Sequence, residues 1–355
     1  MSTEITIAAV GDFLMKTRII NSCKGEKGYS FDHLFEPIAP YLRNADLTIG
    51  NLETVFAGKT SEDAYSVVKR NPRTNWPMFN CPDAFADTLK NLGFDFVSTA
   101  NNHCMDNGIN GLKRTLRILD DRGIAHSGTY RTQNDAQNLV VKEIKGIKIG
   151  FLAYTNTTNR VPVPSDHKWA VDLINPTKMV SDLKRMKAKN VDLTIVCLHV
   201  GREYSNNPVQ RQKDLVQLLF KNGADIILGA HSHTIQPAVF YKSGSGIRKF
   251  AIYSLGNIIS TRLYYNDHTL TGLITQLHVR KLDDGTIRIK KIEFIPTWTR
   301  ISKTGGRSSF KVVPLTAHYK KLDPSSAEAV RVKKMIQHVR HHIVKDPDSV
   351  NAEII

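Results

Sequence analysis

The sequence predicts an α/β fold in which a layered sheet, built from alternating strands and helices, is completed by antiparallel hairpins. Short apolar runs alternate with amphipathic helical segments as far as His233. After that position the chain has strand-type runs, two of them joined across Asp283-Asp284-Gly285, a hairpin signal. Several earlier strands also end in polar residues, as expected where a parallel sheet carries a site at its carboxyl edge.

The composition indicates a globular protein with a strongly basic surface. The 355 residues are 41% hydrophobic and 23% charged, which suits one large domain or two modest ones. The net charge of +16 favours an anionic partner, such as a polyanionic polymer or a phosphorylated substrate. Lysines and arginines are scattered along the chain, so a generally basic surface is the alternative and nucleic acid is not strongly indicated. The oligomeric state is left open.

The cysteines and the amino terminus bear on the compartment. The four cysteines are widely spaced and form no C-x-x-C pair, which fits a reducing environment. The first residues lack a basic segment followed by a long apolar run, and no apolar run reaches membrane-spanning length. We therefore expect a soluble, cytoplasmic protein.

The predicted strands and helices alternate along most of the chain. Helix periodicity comes from apolar residues at i, i+4 and i+7, as in Phe85, Leu89 and Leu92, and glycines end several helices. The predicted strands are residues 5–10, 45–49, 94–97, 124–127, 147–154, 193–198, 226–228, 250–255, 270–279 and 286–294. The predicted helices are residues 83–92, 112–122, 177–189, 208–221 and 324–345, and residues 57–80 and 155–175 are expected to be irregular.

Potential metal ligands recur where consecutive strands end. A single histidine after a strand is usually an ordinary loop residue, and Asn102-His103 alone fits a turn as well as a site. Together, however, five strand ends carry carboxylate, amide or imidazole groups, which a parallel sheet would gather at one edge. These groups are Asp12, Asn51 and Glu53, Asn102 and His103, His199, and His231 with His233.

The same residues lie in motifs that resemble a known family. The motifs are VGD at 10–12, GNLE at 50–53, ANNHCMDNG at 100–108, HVGREY at 199–204, ADIILGAHSH at 224–233 and YSLGN at 253–257. Residues 5–260 resemble the CapA family of poly-γ-glutamate capsule-synthesis proteins, within the calcineurin-like metallophosphoesterase superfamily. The resemblance implies a layered α/β/β/α sandwich over residues 1–300, followed by an extension, residues 301–355, with a basic helix and a polar tail.

The resemblance also implies a site for two divalent metals, with Mn, Fe or Zn suiting mixed histidine, amide and carboxylate ligands. Glu53 would bridge the metals with Asn51 in support, and His103 would act as the catalytic acid or base. The implied ligands are Asp12, Glu53 and His233 for the first metal, and Glu53, Asn102, His199 and His231 for the second.

Two departures from the superfamily pattern bear on this assignment. Position 14, where the wider superfamily has a histidine ligand, is Leu14, which leaves the first metal with fewer protein ligands. The acidic residue that usually follows the catalytic histidine is replaced by Cys104. Asp106 either orients His103 in its place or caps the following turn.

Further residues near these motifs are expected to line the substrate pocket or to support the ligands. Glu203 and Tyr204 follow His199 closely, and Glu203 is a second candidate base. Asn51 and Asn257 are candidate substrate-binding residues that could instead support the ligands, and Ser254 has the same two possible roles.

The resemblance leaves several functions open. The first is metal-dependent hydrolysis or transfer on an anionic polymer or peptide in poly-γ-glutamate or capsule metabolism. Phosphoester hydrolysis, peptide α-carbon epimerisation and a non-catalytic polymer-binding role are the alternatives. The substrate and the native metal are not defined by the sequence.

Overall fold

The structure is a computed structural model that describes residues 2–58, 69–243, 246–343 and 352–355. The strands are β1 Thr3–Phe13, β2 Lys24–Gly25, β3 Gly28–Tyr29, β4 Leu47–Asn51, β5 Lys69–Arg70, β6 Pro77–Met78, β7 Phe96–Ser98, β8 Ala125–Ser127, β9 Val140–Ile144, β10 Ile147–Thr155, β11 Leu193–His199, β12 Ile226–Ala230, β13 Ile235–Ser243, β14 Gly246–Leu255, β15 Asn257–Ile259, β16 Thr271–Lys281, β17 Ile287–Thr304, β18 Arg307–Pro314 and β19 Ala352–Ile354. The α-helices are α1 Thr17–Ser22, α2 Ala39–Arg43, α3 Ala84–Asn91, α4 Gly108–Asp120, α5 Pro176–Ala188, α6 Gln210–Lys221, α7 Leu315–Tyr319 and α8 Ala327–Ile343.

The main sheet has the strand order β8-β7-β4-β1-β16-β17-β14-β12-β11-β10-β9. Strands β1, β4, β7 and β8 are parallel to one another, and so are β10, β11, β12 and β14. Within the described residues, a single pair, Ile247 with Ile289, joins β14 to β17. The sheet is therefore two halves, each with a parallel portion, connected by a short seam.

The alternation of side chains along the strands shows that the two halves face each other. In β1, Ile7 and Ala9 point into a core that also contains Phe151 of β10 and Ile195 of β11. This shared core lies between the two halves, and the stacked rings of Phe96 and Phe151 join them across it.

Helices cover the outer face of each half. The intervening residues of β1, such as Ala8 and Val10, pack with side chains from α1 to α4. On the other side, Leu152 and Val196 pack against α5 and α6. The order of layers is helix, sheet, sheet, helix, which confirms the predicted sandwich.

The carboxyl-terminal part is built from antiparallel pairs, as predicted. Strands β16 and β17 pair along their length, and Gly285, with φ of 81°, forms the turn between them. Strand β18 pairs with β17 in turn. Residue 300 lies inside β17, so the division after that residue stays a prediction.

Most predicted elements are present with shifted ends, and several others were not predicted. The helix expected from residue 208 begins at Gln210, and the loop 155–175 contains a 3₁₀ helix, Ser165–Ala170. Strands β9, β13, β15 and β18 were missed. Only part of the segment 57–80 and of the polar tail lies within the described residues.

No helix in the described ranges is long and apolar enough to cross a bilayer. The compartment stays a prediction.

Candidate metal centre

The predicted ligands meet at the carboxyl edge where the two halves of the sheet come together. Asp12, in β1, is in register with Asn51 of β4 on one side and Asn257 of β15 on the other. His199 is the last residue of β11 and is in register with Ala230, the last residue of β12. The topology therefore collects residues that are up to about 245 positions apart in the sequence.

The loop after β12 has an unusual backbone that presents two histidines. His231 and His233 have φ of 92° and 57°, in the left-handed region that non-glycine residues seldom adopt. The serine between them, Ser232, is fully buried and accepts a backbone hydrogen bond from Tyr204 at 2.7 Å. Such backbone conformations persist where the surrounding structure fixes them, often at functional sites.

Two groups of potential ligands share Glu53. One contains Glu53, His199 and His231, and the other contains Asp12, Glu53 and His233. In each group one ligand atom from every residue lies within 4.8 Å of the others, and all five residues are buried. This arrangement matches the expected pair of metal positions with a bridging carboxylate.

The first group converges on His199 Nε2. This nitrogen lies 2.8 Å from Asn102 Oδ1, 3.1 Å from His231 Nδ1 and 3.5 Å from Glu53 Oε1. Burial lowers the pKa of both histidines to about 3, so both rings are held neutral. Neutral imidazoles are the form that binds a metal.

The second group is smaller. His233 Nδ1 lies 3.3 Å from Asp12 Oδ2 and 3.8 Å from Glu53 Oε2. Leu14 occupies the position of the superfamily histidine and packs with Phe79 and Leu263, so it supplies no ligand. Burial works to lower the pKa of His233, but Glu53 and Asp12 outweigh it and raise that pKa to about 9.

Asn51 and Asn257 lie behind the ligands and do not line the cleft above them. Asn51 donates from Nδ2 to Asp12 Oδ1 at 2.7 Å and also lies 3.2 Å from His199 Nδ1. Asn257 is fully buried, with Oδ1 3.1 Å from His233 Nδ1 and Nδ2 donating to Thr269. We infer that both orient ligands, and their predicted contact with substrate stays a prediction.

The chemistry of Glu53 shows that the residues present fit a metal. Both carboxylate oxygens are buried, and neither accepts a hydrogen bond within the described ranges. Burial and the neighbouring Asp12 raise the pKa of Glu53 to about 8. A buried carboxylate without donors is costly unless a cation balances it, and a divalent metal between these groups would do so.

His103 lines the cleft and is held by contacts with Asp106 and Asn159. Its Nδ1 lies 2.7 Å from Asp106 Oδ2, which also accepts a hydrogen bond from the backbone of Phe79. The next residue, Asn107, is the N-cap of α4, so Asp106 contacts His103 and is not the cap of that helix. On the other side, His103 Nε2 lies 3.4 Å from Asn159 Nδ2.

The cleft above the ligands has a volume of about 650 Å³, and both basic and aromatic side chains line it. Glu203 and Tyr204, both predicted for the pocket, line it together with His103 and His233. The other lining residues that carry charge or a ring are Lys16, Arg70, Arg160, Arg262, Trp76, Phe79 and Tyr264.

Several of these residues were not predicted from the sequence. Asn159 lies in an irregular loop, far from Asn102 in sequence. In the fold its Oδ1 accepts a hydrogen bond from Asn102 at 3.1 Å. Lys16 follows Asp12 by four positions, and only this spacing could have drawn attention to it. Cys104 and Cys197, which are near the motifs, are buried, and burial raises the pKa of each to about 12, so both are thiols.

Comparisons with known proteins bear on the family and the fold of the chain. Residues 6–262 match the family described as bacterial capsule synthesis protein PGA_cap. The chain is 28% identical over 286 residues to the capsule biosynthesis protein CapA of Bacillus anthracis, covering 80% of this chain and 65% of that protein. It is 27% identical to the PGA biosynthesis protein CapA of Bacillus subtilis, covering 81% and 71%. The match thus spans slightly less than two thirds of the first relative.

Solved structures share the fold. The calcineurin-like phosphoesterase YfkN of Bacillus subtilis aligns over 96% of this chain and 98% of its own, with a TM-score of 0.51 and 14% identity. The NAD nucleotidase NadN of Haemophilus influenzae aligns over 98% of this chain and 64% of its own, with a TM-score of 0.52 and 12% identity. Because the family match covers most of the chain, the chain belongs to the bacterial capsule synthesis protein family PGA_cap, on a calcineurin-like phosphoesterase fold.

Proposed function

We propose that this chain is a metal-dependent hydrolase or transferase that acts on an anionic polymer or peptide, in poly-γ-glutamate or related capsule metabolism. The observation that carries the proposal is the sharing of Glu53 by two groups of buried ligands. The relatives named for capsule and PGA biosynthesis support the setting of the reaction.

Two sets of residues, which share Glu53, would each hold one metal ion. Asp12, Glu53 and His233 would hold one ion, and Glu53, Asn102, His199 and His231 would hold the other. Such donors suit Mn, Fe or Zn better than Mg or Ca, which prefer oxygen ligands alone. When bound, two such ions supply Lewis-acid polarisation of a substrate oxygen and neutralise developing charge.

His103 supplies the proton chemistry. The carboxylate of Asp106 accepts the Nδ1–H of His103, which leaves Nε2 directed to the cleft to take up or release a proton. Phe79, whose ring centroid lies 4.1 Å from that of His103, restricts the imidazole from one side. A ring fixed in this way can protonate a leaving group without first reorienting.

Glu203 is the second candidate base. Glu203 lines the cleft, and burial together with the nearby Glu203 carboxylate raises the pKa of Tyr204. Among the described residues, no ion pair fixes the Glu203 carboxylate, whereas Asp106 fixes His103. We therefore assign the main proton transfer to His103 and keep Glu203 as a residue that contacts substrate.

Turnover of two probes tests the proposal. The full-length protein, supplied with Mn²⁺, Fe²⁺ or Zn²⁺, is incubated with γ-linked polyglutamate and with bis(4-nitrophenyl) phosphate. We expect metal-dependent cleavage of at least one probe, reduced about 10²-fold or more in His103→Ala. His126→Ala is the control, because His126 also pairs with an aspartate, Asp120, but lies away from the cleft.

The choice of probe separates the chemistries. Cleavage of polyglutamate supports the proposed substrate class, whereas cleavage of the phosphodiester alone would replace it with phosphoester hydrolysis. Absence of metal-dependent turnover with both probes, or equal loss in His103→Ala and His126→Ala, would refute the proposal.

A further inference from the structure

The cleft contains two cations whose charged groups make no hydrogen bond or ion pair within the described part of the chain. Arg70 donates to the carbonyl of Asn75 at 2.7 Å, and Arg262 pairs with Asp267 at 2.6 Å. By contrast, neither the ammonium of Lys16 nor the guanidinium of Arg160 makes a hydrogen bond or an ion pair with a described protein group. Cations that line a cleft without a partner are available to a ligand.

Lys16 is held at the floor of the cleft. It follows β1, and its Nζ lies 4.9 Å from the centroid of the Phe79 ring. Phe79 in turn packs on Leu14, the residue that replaces the superfamily's histidine ligand. The side of the site that lacks a histidine therefore has a lysine nearby, and this places a positive charge beside the Asp12 and His233 half of the centre.

Arg160 is held at the cleft by the loop that contacts the candidate catalytic groups. Asn159 bonds to Asn102 and lies next to His103, as described above. Asn159 and Arg160 both have positive φ, 52° and 60°, and two consecutive non-glycine residues in this region cost backbone energy. The contacts of Asn159 and the left-handed backbone of both residues fix the position of the Arg160 backbone beside the cleft. The side chain of Arg160 is exposed.

We propose that Lys16 and Arg160 form an anion subsite beside the metal centre, which binds a carboxylate or phosphate group of the substrate next to the bond that reacts. The inference rests on the proposed function for the identity of the neighbouring centre. Lysine and arginine are suited to this role, because both donate charge-assisted hydrogen bonds to anionic oxygens. Glu203, also in the cleft, limits the subsite by repelling anions on its side.

Binding to the Mn²⁺-loaded full-length protein, measured by calorimetry, tests the subsite. The probes are a decamer of γ-linked glutamate, for carboxylates, and inorganic phosphate. For Lys16→Met with Arg160→Gln we expect Kd for at least one probe to rise about tenfold or more, the loss expected from charge-assisted hydrogen bonds. Lys184→Met with Arg211→Gln, on the exposed faces of α5 and α6, removes the same charge and should change Kd less than about twofold.

Each outcome decides the question. A higher Kd of the Lys16→Met, Arg160→Gln variant for the decamer identifies a carboxylate subsite, and a higher Kd for phosphate identifies a phosphate subsite. Equal weakening in the control pair, no weakening in the test pair, or no binding of either probe to the wild type would overturn the proposal. If Lys16→Met fails to fold, Arg160→Gln alone carries the test, since Arg160 is exposed. Because no turnover is measured, the subsite can stand even if the proposed hydrolase activity fails.

Discussion

The carboxylate of Glu53 contacts both halves of the candidate centre through different oxygens. Oε1 faces His199 at 3.5 Å, and Oε2 faces His233 at 3.8 Å. Burial and Asp12 raise its pKa to about 8, so a carboxylate here needs nearby positive charge to remain ionised at neutral pH. At the scale of single residues, the two oxygens facing two groups of ligands are what supports the proposal of a centre shared by two ions.

Asp106→Asn tests the orientation of His103. The change keeps the size of the side chain but removes the charge that accepts the Nδ1 hydrogen bond, so we expect turnover to fall about 10-fold to 10²-fold while KM changes little. Asp120→Asn is the matched control, since Asp120 pairs with His126 at 3.1 Å at the other end of α4. A lower kcat in both variants would show a general effect on the helix and would contradict the role of Asp106.

The individual ligands could be predicted because each one ends a recognisable strand. Asp12, His199 and His231 follow apolar runs whose direction the alternating pattern establishes. Asn159 could not be predicted, because it lies in a loop with no periodicity and reaches Asn102 only through the folded structure. For the same reason, the sequence left open whether Asp106 contacts His103 or caps the following turn.

Among the elements, the close approach of β1 to the segment after β14 fixes the position of Asp12. The backbone N–H of Asp12 donates to Gly256 O at 2.9 Å, and a Cβ on Gly11 would clash with that carbonyl. Gly256 has φ of 68°, which allows the chain to turn there toward β15. Two glycines thus let two backbones meet beside the site.

Gly11→Ala should separate these two segments. We expect a loss of about 1–3 kcal/mol in the free energy of unfolding, from overpacking against backbone, with a weaker affinity for metal because Asp12 moves with the strand. Denaturant unfolding and metal titration measure the two effects. In Gly25→Ala the nearest atom to the new Cβ is 3.7 Å away, so this control should be close to wild type. Unchanged stability and metal affinity in Gly11→Ala would count against the close approach.

Long, regular strands and helices are easier to predict from the sequence than short strands or strands without a clear pattern. The parallel strands around the site stand out, because they are continuous apolar runs that end in polar residues. Strand β9 is missed because its residues 140–144 are half-exposed or exposed and include two charged side chains. Strand β15, Asn257–Ile259, is too short for any pattern, and its pairing with β1 depends on the turn at Gly256.

For the molecule as a whole, the carboxyl-terminal helix belongs to the same core as the sheets. Val339 and Ile343 of α8 are fully buried in the core between the two halves, together with Phe250 and Phe294. Nearer the start of the same helix, Val332 and Ile336 pack against Trp298 of β17. The residues predicted as an extension thus contribute side chains to the main core, although whether they form a separate domain stays a prediction.

Val339→Ala tests whether α8 and the sheets unfold together. Removing a fully buried valine side chain should lower the free energy of unfolding by about 1–3 kcal/mol, in a single transition that includes the sheets. Val330→Ala is the control on the same helix, since Val330 is 48% exposed, and it should change stability by less than about 0.5 kcal/mol. A separate early transition for α8, with the sheets unaffected, would show that the helix is an independent unit.

The most direct test of a centre shared by two metals is the metal content of the purified full-length protein. After loading with Mn²⁺ and dialysis, elemental analysis of the wild type should give about two equivalents per chain, and Glu53→Gln should retain less than about one. Asp225→Asn is the control, because Asp225 is a half-buried acid that accepts a hydrogen bond from the backbone of Thr194, at the opposite end of β11. It should retain the wild-type content. Less than one equivalent in the wild type, or the same content in Glu53→Gln as in the wild type, would contradict the account.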